Sequence, residues 1–63
     1  MCLSTIYVEK KDNKNKLMEN VCSIELTNNG LKFTDLMERI KIYKGKLLEA
    51  NLVDGYVIVS KEE

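Results

Sequence analysis

With 63 residues the chain has room for one domain, residues 1–63, and for only a small core. A single core of this size rarely contributes more than roughly 3–5 kcal/mol, so a partner subunit, a metal or a disulfide is the expected supplement. Ten basic and ten acidic residues cancel, and there is no His, Trp or Pro. That balance excludes the overall positive charge with which most nucleic-acid binders neutralise phosphate. The missing imidazole excludes His-based acid–base catalysis and a Cys–His dyad.

Residues 2–10 are rich in β-branched and aromatic types (Thr5, Ile6, Tyr7, Val8) and read as a first strand. Leu3, Ile6 and Val8 are too few and too interrupted for a signal peptide, and no run approaches the ~20 apolar residues that span a bilayer. A cytoplasmic protein is expected, with no membrane partner, and in such a reducing setting a Cys2–Cys22 disulfide is disfavoured. Asp12 to Asn15 form a polar turn. Lys10, Lys11, Lys14 and Lys16 gather around it, as a solvated turn or a weak anion-binding patch.

Residues 21–27 alternate, placing Cys22, Ile24 and Leu26 on one face and Val21, Ser23, Glu25 and Thr27 on the other. Asn29-Gly30 is a strong hairpin dipeptide, because both central residues of a type I′ turn need positive φ. Leu31 and Phe33 then share a face, so the pattern predicts a hairpin over residues 21–34. Residues 35–50 fit two patterns. Leu36, Met37, Ile40, Tyr43, Leu47 and Leu48 make a helical stripe with Asp35 as a possible N-cap, while Ile40 and Ile42 alternate as a strand would. Gly45 inside the helix would cost roughly 1 kcal/mol relative to Ala, which tilts the balance toward strand. Leu48, Ala50 and Leu52 alternate, Asp54-Gly55 signals another hairpin, and Tyr56 to Val59 is strongly β-prone. Lys61, Glu62 and Glu63 read as a frayed tail. The elements add up to five or six short strands, whose closure into a small barrel would remove exposed edges.

Cys2 stands out chemically. Removal of Met1 tolerates a small second residue, and an N-terminal Cys offers a thiolate and an α-amine that chelate one metal in a five-membered ring. If Met1 stays, its backbone amine and the Cys2 amide nitrogen act beside the thiolate instead. Either donor set suits a square-planar thiolate–nitrogen site for Ni(II) or Cu(II). One chain without His completes such a site poorly, whereas two chains related by a twofold axis could each donate Cys2. Set against this, a lone Cys near a terminus is usually an ordinary residue. Cys22, spaced with Ile24 and Leu26, reads as a small buried hydrophobe. The carboxylates, Asp35 among them, read as surface and turn groups, and no catalytic constellation appears.

The opening Met1-Cys2-Leu3-Ser4-Thr5-Ile6-Tyr7-Val8 resembles the start of the CooT-like family of small nickel-binding proteins. Met18-Glu19-Asn20-Val21, the segment from Leu31 to Leu36, Gly45 with Lys46-Leu47, and Asp54 with Val57-Ile58-Val59 resemble later family segments. The likeness covers nearly the whole chain. It implies an all-β fold, a five- to six-stranded antiparallel barrel of SH3-like type that forms a homodimer, with strand rather than helix over residues 38–44. It also implies a non-enzymatic metallochaperone binding Ni(II) through Cys2, with a nickel enzyme such as carbon monoxide dehydrogenase as client. Copper or zinc would also suit a thiolate. Some members have been labelled RNA-binding, which is the alternative function, although the charge balance gives nucleic acid little support. Where the family often has a Gly-Glu-Glu turn, this chain has Met37-Glu38-Arg39, with no glycine.

Overall fold

The structure is a computed structural model that describes residues 3–63. Its strands are β1 (Ser4–Val8), β2 (Lys16–Thr27), β3 (Gly30–Asp35), β4 (Ile40–Tyr43), β5 (Leu47–Asn51) and β6 (Tyr56–Val59), with one 3-10 turn at Asn13–Asn15. All six lie in a single sheet in the order β4-β3-β2-β1-β6-β5. The all-β expectation holds, and of residues 38–44, expected as strand, Ile40–Tyr43 form one while Glu38, at φ +65°, belongs to the turn before it.

The expected antiparallel barrel is corrected in two respects. The sheet is not closed, because β4 and β5 are its two edges. One pairing is also parallel: β1 runs alongside β6, with Thr5 opposite Tyr56 and Val8 opposite Val59. The edges are nevertheless joined by residues 44–46 alone. Four Cα steps of about 3.8 Å hold the end of β4 within about 15 Å of the start of β5, so the sheet must curl on itself there. The segment after β6 stitches that corner. Ser60 N donates to Lys46 O at 2.8 Å, Glu63 N donates to Lys44 O at 2.7 Å, and the Tyr43 hydroxyl donates to Ser60 O at 2.8 Å. The tail expected to fray is therefore hydrogen-bonded in place.

The concave face carries the core: Ile6, Val21, Leu31, Phe33, Tyr43, Val57 and Val59, with Val8, Leu17, Met18 and Ile24 packed against it. Phe33 and Tyr43 sit with ring centroids 6.3 Å apart. The predicted hairpin forms, but its turn differs in detail. Thr27 pairs with Gly30 around Asn28-Asn29, and within this turn positive φ falls on Gly30 alone, at +120°. Gly30 is required there twice over, since a Cβ on it would also lie 2.5 Å from Tyr43 O.

The alternation of residues 21–27 also changes phase. Val21 lies opposite Asp35 and Ser23 opposite Thr34, so Cys22 is an extra residue in a β-bulge. Val21 and Ile24 thus both face the core, while Cys22 is exposed. This overturns the expectation that Cys22 fills the core. A period-two pattern does not reveal a bulge, which inverts the facing of every residue on one side of it.

Candidate functional site

Cys2 and Met1, the metal ligands expected from the sequence, lie outside the described residues. What the structure shows is where the chain continues from them. Leu3 lies beside the β5–β6 turn, where a Cβ on Gly55 would come within 3.1 Å of Leu3 O. Thr5 N donates to Gly55 O at 3.0 Å. Gly55 has φ +75° and closes a turn in which Asn51 Oδ1 accepts from Val53 N and Asp54 N.

Ser4 borders an apolar groove of about 320 Å³ between β2 and β5, lined further by Val21, Ile24, Leu26, Leu47 and Leu52. Two of these leucines are strongly exposed, Leu26 at 72% and Leu52 at 75%. Its walls come from β1, β2, β5, β6 and the turn between the last two, and no residue of β3 or β4 lines it. Cys22 lies on its rim. The Cys22 thiol is within 3.5 Å of both Thr34 O and Asp35 O, to which it donates weakly across the bulge. Among the described residues no group of three or more His, Cys, Asp or Glu side chains could hold a metal ion. Further apolar side chains are exposed around the β3–β4 turn and on β4: Leu36, Met37, Ile40 and Ile42.

Asp35 is buried at 4% exposure, against the expectation of a surface carboxylate. Its cover is the β3–β4 turn that folds over it. Oδ1 accepts from Met37 N and Arg39 N, each at 2.9 Å, and Oδ2 accepts from Arg39 Nε at 2.8 Å. These bonds hold a turn made without glycine, in which Glu38 takes φ +65°. A non-glycine residue in that region costs on the order of 1 kcal/mol, offset here by the Asp35 cap. The Arg39 backbone N–H, ahead of its guanidinium and the Met37 N–H, draws the Asp35 carboxyl below its usual 3.8 despite the opposing effect of burial. A depressed folded-state pKa adds stability that is fully present above the unfolded value and lost as pH falls through the folded one. The wild type should therefore lose stability below pH 3.8, and Asp35→Asn should flatten that part of an acid-unfolding profile followed by circular dichroism. An unchanged acid limb would show that the carboxylate contributes nothing.

Of the four lysines that the sequence groups together, only Lys11 turns away from the others. Lys11 Nζ sits 4.5 Å from the centre of the Tyr56 ring, while Lys10, Lys14 and Lys16 share an open basin at the far end of β1. Phe33 and Tyr43 are in the core, and the Tyr56 hydroxyl donates to Glu49 Oε2 at 2.7 Å, which raises its pKa. No helix among the described residues is long and apolar enough to cross a membrane.

A curled six-stranded sheet with an uncovered apolar groove next to the N-terminal strand defines a small all-β module. Residues 1–60 match the family described as CO dehydrogenase accessory protein CooT, and the chain belongs to that family. A protein of Methanothermobacter thermautotrophicus described only as "Uncharacterized protein" is 33% identical over 63 residues, covering 100% of this chain and 94% of the relative. The fold matches the "Crystal structure of putative CooT from Carboxydothermus hydrogenoformans" with a TM-score of 0.85 at 22% identity, over 98% of this chain and 100% of that one. Membership makes this chain an accessory protein linked to carbon monoxide dehydrogenase, not the catalyst itself.

Proposed function

We propose that this protein binds Ni(II) between two copies of itself and serves as a nickel metallochaperone for carbon monoxide dehydrogenase or another nickel enzyme. Cys2 thiolates and nearby backbone nitrogens would hold the metal, the Met1 amine among them if Met1 is retained. The observation that carries this reading is the apolar groove beside the strand that follows Cys2, in a chain of the CooT family. Ser4 lines the groove, and Cys2 is covalently two residues away from it. A second copy covering Leu26 and Leu52 would remove this exposed apolar surface from water. It would also draw two N-terminal segments toward one another. Without His, and with no three-donor cluster among the described residues, a single chain has few donors to offer. Two chains supply two thiolates and their backbone nitrogens, a donor set that fits Ni(II).

Nickel titration of the tag-free protein and of Cys2→Ala tests the proposal. The wild type should take up one Ni(II) per dimer by native mass spectrometry and develop thiolate-to-metal absorption, and Cys2→Ala should do neither. Because the ligand must be deprotonated, wild-type affinity should weaken as pH falls from neutral into the mildly acidic range. Equal binding by both proteins would reject Cys2 as the ligand. No binding by either would reject the metallochaperone reading. The RNA-binding reading has less support, since the core holds Phe33 and Tyr43 and the chain's charges cancel.

A further inference from the structure

Charge is balanced over the chain but not over its surface. Parallel pairing of β1 with β6 sets Val8 beside Val59, and Glu9 N extends it by donating to Val59 O at 2.7 Å. The chain turns at Glu9, whose φ is +73°, and Lys10 and Lys61, far apart in sequence, line the same basin just beyond this pair of strands. Antiparallel pairing of β1 with β2 sets Lys16 opposite Tyr7 at the same end of the sheet. Lys14 comes from the 3-10 turn between them. The result is an open basin of about 610 Å³ lined by Lys10, Lys14, Lys16 and Lys61, with Glu9 as its one acidic side chain and Val8 and Asn15 completing the wall.

The scaffold under these lysines is tied down. Asp12 Oδ1 accepts from Lys14 N at 3.0 Å, and Asn15 N donates to Asp12 O at 2.8 Å. Asn15 Nδ2 donates to Val8 O at 2.8 Å, and Lys10 N donates to the same carbonyl at 2.9 Å. Of the four ammonium groups, only Lys16 has a carboxylate partner among the described residues, Glu19 at 3.6 Å. Four like charges gathered around one concavity repel one another, and a multiply charged anion seated among them relieves that repulsion.

We propose that this basin binds a small multiply charged anion bearing phosphate or carboxylate groups. The four lysines surround one basin, which suits a compact ligand, and Lys41 on β4 is not among its lining residues. Lys ammonium groups act as point charges without the forked geometry of Arg, so binding is set by charge more than by shape and is sensitive to salt. The site is distinct from the groove beside Ser4, so it stands or falls independently of the nickel proposal.

The test is a titration of isotope-labelled, metal-free protein with tripolyphosphate and, separately, with citrate, followed by amide chemical shifts. Shifts confined to residues 8–16 and 59–61, weakening several-fold when salt rises from about 50 to 200 mM, are expected. A preference for tripolyphosphate identifies phosphate as the recognised group, and equal binding of citrate extends the site to carboxylates. The double variant Lys14→Ala/Lys61→Ala removes two exposed side chains that the core does not use, and it should bind about tenfold more weakly while melting as the wild type does. No shifts at millimolar anion, or unchanged affinity in the double variant, overturns the proposal. So does far tighter binding of a single-stranded RNA with shifts spreading to Lys41, which would make the basin part of a nucleic-acid surface.

Discussion

Phe33→Ala should leave the isolated chain largely unfolded at 25 °C. Phe33 has 0% exposure at the middle of the concave face, between Ile24 on β2 and Lys41 on β4, with the Tyr43 ring beside it. Truncating a buried Phe to Ala typically costs about 3–5 kcal/mol, from lost burial and from the cavity left behind. A single core in a chain of this size contributes roughly the same amount, so the substitution consumes most of the margin. Urea unfolding followed by circular dichroism would show the wild type with a cooperative transition and the variant with little or none. Phe33→Leu, which keeps most of the volume, should retain the transition at a lower midpoint. A Phe33→Ala protein with a wild-type midpoint would mean that another part of the molecule, such as a dimer contact, dominates its stability.

The second large effect is expected at Leu26, where the fold should survive and the assembly should not. Leu26 is 72% exposed at the mouth of the groove, so Leu26→Glu removes little buried surface from one chain and should change its folding stability by less than about 0.5 kcal/mol. On the reading proposed above, the same side chain is covered by a second copy. An unpaired carboxylate forced into that contact costs several kcal/mol. A micromolar dimer corresponds to about 8 kcal/mol of association free energy, and losing about 4 of these moves its dissociation constant into the millimolar range. Sedimentation at tens of micromolar should then show a monomer. Nickel affinity should fall with it, because a site that needs two Cys2 residues is lost when the chains separate. A variant that remains dimeric would place the contact elsewhere, with the exposed β4 residues Ile40 and Ile42 the next surface to test.

How far the sequence foretold this depends on how local each feature is. The hairpin of β2 and β3 was legible because alternation and the Asn28-Asn29-Gly30 turn are written in adjacent residues. The exposure of Cys22 was not, because its spacing with Ile24 and Leu26 is that of a core strand until the bulge is known. Residues 40–43 stayed ambiguous by pattern because a four-residue strand barely distinguishes period two from a helical stripe, and the family resemblance decided correctly. Asp35 gave no sign of burial, since its partners, two backbone N–H groups and the Arg39 guanidinium, converge only once the β3–β4 turn has formed. The parallel β1–β6 pair was hidden for a related reason. Nothing in either strand names the other, and with it were hidden both the open sheet and the meeting of Lys61 with Lys10. Cys2 was singled out by chemistry and by resemblance, and it lies outside the described residues.

The pairing of β1 with β6 also bears on the order in which the fold assembles. The β2–β3 turn closes over two residues, so that hairpin can form in microseconds, with β4 added by a short turn. Bringing Thr5 against Tyr56 instead closes nearly the whole chain, at an entropic cost on the order of 3 kcal/mol more than a short turn. The two halves of the sheet are then two folding units of unequal speed, and the seam between them is the slow step. That seam runs along β1, the strand on which the N-terminal segment is mounted, so the β2–β3–β4 unit can be in place before the end of the chain that carries Cys2 acquires its second neighbour.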